Sequence, residues 1–496
     1  MATLAAVDLG AQSGRVAVGR FDGERLSVTE VHRFPNVPVR TRGTLNWDVL
    51  RLYQDVLDGL RAAGREAGGV DSVAVDSWAV DFGLVDRNGR LVQNPVHYRD
   101  GRRARAMAHV LERVPARELY ERTGIQLMPI NTVFELGAMA AEDDPALAAA
   151  ESLLLVPDLL HYWLCGARSS EFTNATTTQC FDPRSGAWAT DLLDRLDVPT
   201  RLLPEVVQPG TLLAPLGDDV AEDTGLRGAR VVAVATHDTG SAVAAVPLRS
   251  PGSAFVSAGT WSLVGVEVGE PVISDASFAA NLTNEGGVGG TFRLLRNVTG
   301  LWLVRECRRV WALEGHEYSF DQLVALAEEA PPLRSFIEPN DPAFAEPGDM
   351  PARVRAFCAH TGQAEPVEPG AVVRCILESL ALKHAQTVEL LASVTGTSPR
   401  EIHVVGGGVR NELLCRWTAD AAGLTVEAGP EEATLLGNLL VQAMALGEIA
   451  SVAQARELVA GSVATTTYDP EDTAVWEDAR GRFAEAVALP PLEVRA

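Results

Sequence analysis

The strongest constraint in this chain is a pattern that occurs twice. "LAAVDLGAQSGRVAVGRF", residues 4–21, runs an apolar strand into a glycine and hydroxyl turn and returns on a second apolar strand. "SAFVSAGTWSLVGVEV", residues 253–268, does the same. The first is followed by a third strand in "GERLSVTEVHRF". A helical stretch comes next, with Val49, Leu52, Tyr53, Val56, Leu57 and Leu60 at helical spacing, and then the short buried strand of "VDSVAVDSW". In the second half "EIHVVGGGVRNELLCRWTADAAGLTVEAG" reads as strand, glycine turn, helix and strand. Hairpin, helix and strand in this order specify a mixed α/β domain, and the recurrence specifies two. The division is expected in the Pro and Gly cluster at residues 246–253, giving domains 1–247 and 248–496.

A chain of 496 residues is long enough for two cores, and 47% hydrophobic with 22% charged residues is the balance of a folded protein. The net charge of −24 argues against a nucleic-acid surface, which needs clustered Lys and Arg. No apolar run reaches the roughly 18 residues of a membrane helix. The start "MATLAAVDLG" has no basic segment and runs straight into a strand, so a cytoplasmic location is expected. The six cysteines form no CxxC pair and the histidines no HExxH, so buried reduced thiols are expected and protein-bound zinc is not. Lys383 is the sole lysine, and it lies in a helical segment. A P-loop is therefore excluded, as is a protein-kinase site, although "DFG" occurs at Asp81–Gly83.

Four segments carry candidate chemistry, each with a structural alternative. In "AVDLGAQSGRVAVG", Asp8 ends a strand. Gly10, Ser13 and Gly14 are expected in the turn, where backbone N–H groups could converge on a phosphate with Arg15 nearby and Asp8 could hold Mg²⁺ through water. The alternative is a tight hairpin. Gly259, Thr260 and Ser262 pose the same choice in the second half. Gly406, Gly407 and Gly408 lie between strand and helix, where close approach of a nucleotide at the helix N-terminus competes with tight packing. In "VVAVATHDTGSAV", Asp238 is either a helix N-cap or a carboxylate base at a strand end, with His237 beside it.

In order along the chain, "VDLGAQSGR", "NWDV", "DSWAVDF", "PVHYRD", "GIQLMPINT", "TNATTTQ", "THDTGSAV", "SAGTWSL", "NEGG", "GLWL" and "VGGGVRN" resemble the FGGY carbohydrate kinases over roughly residues 4–470. The resemblance implies two actin-like, hexokinase-like (ribonuclease H-like) ATPase domains with an interdomain cleft. It implies ATP and Mg²⁺ as cofactors and a small-molecule sugar as partner, in a monomer or small homo-oligomer. Within the family the match is closest to enzymes that phosphorylate L-rhamnulose on its 1-hydroxyl. Kinases for L-fuculose, L-xylulose or L-ribulose, and a catalytically silent sugar sensor, are the alternatives. By the same resemblance Asp238 is the catalytic base, and Ala79, His237, Thr239 and Asn297 contact the sugar. Ala11, Gln12, Ser13, Gly14 and Arg15 form one phosphate loop and Thr260 another, with Arg305 near the nucleotide, Gly406–Gly408 at the adenosine and Asp8 assisting Mg²⁺. Two positions depart from the family pattern: Ala79 replaces a glycine at the sugar wall, and Arg305 replaces a glutamine.

Overall fold

The computed structural model describes residues 1–248 and 252–488. The chain forms two compact units. The first comprises Met1–Pro247, Glu267–Leu294 and Ala433–Val463; the second comprises Leu248–Val266, Leu295–Glu432 and Ala464–Ala496. A split into 1–247 and 248–496 leaves out the two returns to the first unit, at 267–294 and 433–463. In the expected boundary segment, Arg249, Ser250 and Pro251 lie outside the described residues, as does the chain after Ala488.

The first unit is built on a sheet ordered Thr211–Pro215, Arg230–Ala233, Ser72–Ser77, Ala2–Leu9, Ser13–Phe21, Leu26–Pro35. The opening hairpin and its third strand are antiparallel, and Ser72–Ser77 pairs parallel with Ala2–Leu9. Helix Val49–Ala67 follows from its sequence. Val49, Leu52, Val56, Leu60 and Ala63 recur on one face and are buried, and Asp48 accepts from Arg51 N–H at the N-terminus. Gly68, at φ +72°, ends the helix in the left-handed region. The return of 433–463 has a packing cause. Helix Ala433–Ala445 lies against strand Ala2–Leu9 and helix Asp238–Ala244, and Leu435, Leu439 and Leu440 join Leu4, Ala6 and Phe21 in one buried cluster.

In the second unit the strand order is Phe292–Thr299, Trp261–Val268, Ala254–Ala258, Glu401–Val405, Thr425–Ala428, Thr466–Tyr468. The order repeats that of the first unit: third strand, hairpin return, hairpin start, two parallel strands and an antiparallel edge strand. Helix Pro369–Thr395, which carries Lys383, is buried along most of its length and packs on helices Phe320–Glu329 and Glu412–Ala422. Among the described residues no helix is long and apolar enough to cross a membrane.

Candidate active site

In both units the strand ends carry the candidate groups. Asp8 and Asp76 are register partners on adjacent parallel strands, and Asp8 faces Arg15 across the hairpin. Arg15 places Nε 2.9 Å and a terminal nitrogen 2.8 Å from Asp8 Oδ2, which leaves Oδ1 open. The hairpin turn is tighter than expected: Ser13 already begins the return strand, and Gly14 pairs with Leu9. Gly10 N–H donates to Ser13 O at 3.0 Å, and Asn36 pins the turn from outside, its N–H on Gln12 O (2.9 Å) and its amide on Gly10 O (3.0 Å). Ala11 and Ser13 are half-buried and Gln12 is exposed, so the turn presents its backbone to solvent. A side chain at Gly14 would enter the Phe34 ring, a structural reason for that glycine.

Asp238 is the first residue of helix Asp238–Ala244; the N-cap position belongs to His237, without a side-chain cap bond. The capping alternative is thus set aside. The Asp238 carboxylate accepts from Thr239 N–H (2.6 Å) and Thr239 Oγ1 (3.2 Å) and is half-buried. Burial is the largest influence on it and, with the Asp8 charge, holds its pKa above the usual carboxylate range. The pull of His237 and the Thr239 bonds acts the other way. Arg293 donates to His237 Nδ1 at 3.1 Å. Glu285 Oε2 lies 3.3 Å from the same Nδ1, and Nε2 lies 3.5 Å from Asp238 Oδ1. Arg293 is fully buried, donates to Gly286 O (2.8 Å) and lies 3.3 Å from Glu285. The segment before His237 is held by Glu171, whose carboxylate takes Thr236 N–H and Oγ1, both at 2.9 Å, and the Thr173 hydroxyl at 2.5 Å.

Ala79 is half-buried in a loop built around Asp81. That carboxylate, 1% exposed, accepts from Trp47 Nε1 (2.5 Å), Trp78 Nε1 (3.1 Å), Tyr98 N–H (3.2 Å) and Arg103 (2.6 Å). Between the two, Val80 is held at φ +66°, a strained setting for a β-branched residue, and its carbonyl accepts from Thr132 Oγ1 at 2.7 Å. The strain falls on Val80, next to the position where the family's glycine is expected.

In the second unit, Thr260 closes the second hairpin. Its carbonyl accepts from Gly300 N–H (3.1 Å) and Trp302 N–H (3.3 Å), and its hydroxyl accepts from Arg305 (3.4 Å). The three glycines do not open a helix directly. Gly407–Arg410 form a 3₁₀ turn, and helix Glu412–Ala422 is capped by Asn411, which accepts from Leu414 N–H at 3.0 Å. A methyl at Gly406 would come within 3.1 Å of Ala258 O, and one at Gly408 within 3.0 Å, so both glycines serve strand packing. Gly407 is exposed, with open space where a side chain would stand. Asn297 lies on strand Phe292–Thr299 in the second unit, where its carbonyl accepts from the Asn340 amide at 2.9 Å. The structure thus gathers Asp8, Arg15, His237, Asp238 and Thr239 in the first unit, and Thr260, Arg305 and the glycines in the second.

Residues 3–245 match the N-terminal domain, and residues 254–446 the C-terminal domain, of the FGGY family of carbohydrate kinases. The chain belongs to this family. It is 41% identical over 482 residues to a rhamnulokinase of Bacteroides thetaiotaomicron, covering 97% of this chain and 99% of that one. It is 39% identical to a rhamnulokinase of Enterococcus faecalis, covering 95% and 96%. Among solved structures, a ligand-bound xylulose kinase from Lactobacillus acidophilus superposes with a TM-score of 0.81 at 14% identity, covering 98% of this chain and 97% of that one. A xylulose kinase from Rhodospirillum rubrum gives 0.78 at 19% identity, with 98% of each chain covered. At such identities the superpositions speak for the fold. This carbohydrate kinase therefore has the two-domain fold of its family.

Sequence reasoning passed over Glu171 and Arg293, which hold the segment around His237.

Proposed function

We propose that this FGGY kinase transfers the γ-phosphoryl group of ATP to the 1-hydroxyl of L-rhamnulose, giving L-rhamnulose 1-phosphate and ADP. The observation that carries the reaction type is the half-buried Asp238 carboxylate, with a raised pKa, beside a His237 oriented by buried Arg293. The sugar identity is supported by the rhamnulokinases at about 40% identity over nearly the whole chain. Asp238 orients the attacking hydroxyl and accepts its proton, while the oxygen bonds to phosphorus and ADP leaves with the electron pair of the broken P–O bond. His237 and Thr239 on either side, together with Ala79 and Asn297, contact the sugar. Backbone N–H groups of Ala11–Arg15 and the Thr260 turn grip the phosphates, Arg305 lies near them, and Gly407 receives the adenosine end. Among the described residues no cluster of His, Cys, Asp and Glu forms a metal cage. The open Oδ1 of Asp8 is a hard oxygen donor that would hold a hydrated Mg²⁺ ion. Bound there, the ion would supply charge neutralisation. A cytoplasmic enzyme, monomeric or a small homo-oligomer, completes the proposal.

The test is a coupled ADP-release assay with ATP, Mg²⁺ and a panel of L-rhamnulose, L-fuculose, L-xylulose and L-ribulose, comparing wild type with Asp238→Asn. L-Rhamnulose should give the highest kcat/KM. The variant should lose about 10² to 10⁴ in kcat while still binding sugar. Higher kcat/KM on another ketose would move the substrate assignment, and full activity of Asp238→Asn would remove the base.

A further inference from the structure

The phosphoryl-transfer reading, on which this inference rests, leaves one carboxyl of the site without a task. Asp76 sits beside Asp8 in strand register and is 0% exposed. Its Oδ2 accepts from the Asn438 amide at 2.6 Å, and its Oδ1 has no hydrogen bond. Behind Asn438 the polar contacts continue. Gln442 Nε2 donates to Asn438 Oδ1 (2.7 Å) and to Ala5 O (3.1 Å), and Ser72 Oγ donates to Gln442 Oε1 (2.7 Å). Residues 438 and 442 are one turn apart and share a helix face. The chain Ser72, Gln442, Asn438, Asp76 therefore fixes which end of each amide points where, and it delivers an N–H to the Asp76 carboxylate.

Burial and the neighbouring Asp8 charge hold the Asp76 pKa well above the usual carboxylate range, so its ionised form depends on a donor. The cation that acts on Asp76 is Arg15, which is hydrogen-bonded to Asp8 on the adjoining strand. An amide meets the need of Asp76 without adding charge and without drawing on Arg15. We infer that Asn438, set by Gln442, is a positioning residue for phosphoryl transfer. It gives Asp76 a donor of its own, so that Arg15 stays on Asp8 and the phosphate turn keeps its shape.

The full-length protein is tested as a cycle of Asn438→Ala, Asp76→Asn and the double variant. The readouts are kcat and KM for sugar and ATP, ADP affinity with Mg²⁺, and Tm. Asn438→Ala should lower kcat and ADP affinity at least tenfold while sugar KM stays within about twofold. Asp76→Asn should stay within about threefold of wild type, since its amide oxygen still accepts from Asn438. The double variant, with no carboxylate left to satisfy, should recover most of what Asn438→Ala lost. If Asn438→Ala does not fold, the double variant alone decides, because it should fold and turn over. An Asn438→Ala variant with unchanged kcat and ADP affinity would overturn the inference. So would a double variant no better than Asn438→Ala, or an Asp76→Asn variant as poor as either, since Asp76 would then act on the substrates itself. A wild type that phosphorylates no sugar refutes the kinase reading instead, and the ADP-affinity cycle still tests the role of Asn438.

Discussion

Gly437 offers the sharpest test of how the fold positions the reaction. It lies in helix Ala433–Ala445, and a methyl built on it would stand 2.5 Å from the Ser241 carbonyl carbon and 3.1 Å from Ser241 Cα. Carbon atoms in contact prefer about 3.5–4.0 Å, so Gly437→Ala forces the two helices apart by about 1 Å. Intrinsic helix propensity favours Ala over Gly by about 0.5–1 kcal/mol, whereas overpacking costs about 1–3 kcal/mol. The balance is a net loss of about 1–2 kcal/mol, readable by urea denaturation. The larger consequence is catalytic. Ser241 belongs to the short helix that Asp238 begins, and a 1 Å displacement of a reacting group costs about 10² in rate. Steady-state kinetics should therefore show kcat reduced about a hundredfold, close to 2.7 kcal/mol in activation free energy. Gly461→Ala is the control. It sits in helix Val452–Ser462 with open space around it, and should gain about 0.5–1 kcal/mol with kcat unchanged. A Gly437→Ala protein as stable and as fast as wild type would refute the claim that this helix pair sets the position of the base.

Asp81→Asn removes the charge opposite buried Arg103 and should cost about 3–5 kcal/mol by urea denaturation, the range for breaking a buried pair. A loss under 1 kcal/mol would show that Glu135, 3.2 Å from Arg103, suffices alone. The pH profile of kcat/KM should have its acid limb above pH 3.8: Asp238 acts ionised, its folded pKa is raised, and activity falls as pH drops through that value. A limb at or below pH 3.8 contradicts the burial argument. Ala79→Gly removes one methyl and should shift the ratio of kcat/KM between two ketoses by about 10-fold or more, within the 1–3 kcal/mol that one carbon is worth in a pocket. An unchanged ratio places Ala79 away from the sugar.

Much of the fold is local and was legible. The two hairpins, helix Val49–Ala67 and the strand ending at Ser77 each carry their periodicity and punctuation within twenty-five residues, and so does the stretch that ends on His237 and Asp238. What escaped depends on distant partners. The returns of 267–294 and 433–463 to the first unit are marked by no linker. That of 433–463 arises because Gly437 lets one helix close on another nearly two hundred residues earlier. For Gly406–Gly408 the sequence left ligand approach and tight packing both open; a side chain at Gly406 or Gly408 would crowd the Ala258 carbonyl, and no sequence pattern links those positions.

The same division runs through the site. The groups proposed to meet substrate, such as Asp8, His237 and Asp238, sit in short motifs because they must share a turn or a strand end. The groups that hold them are buried carboxylates and their partners from far along the chain. Glu171 fixes Thr236 ahead of His237, Arg103 pairs with Asp81 from 22 residues on, and Arg293 orients the histidine from a strand 56 residues on. Each is a charge in low-dielectric surroundings, costly unless fully hydrogen-bonded and strongly directional once it is. That physical trade explains why an acidic chain with one lysine still supports anion chemistry. Arginine's planar fork does the internal fixing, as Arg15 does on Asp8 and Arg103 on Asp81. Contact with phosphate is then proposed to fall to backbone N–H groups of the turn beside the Arg15–Asp8 pair.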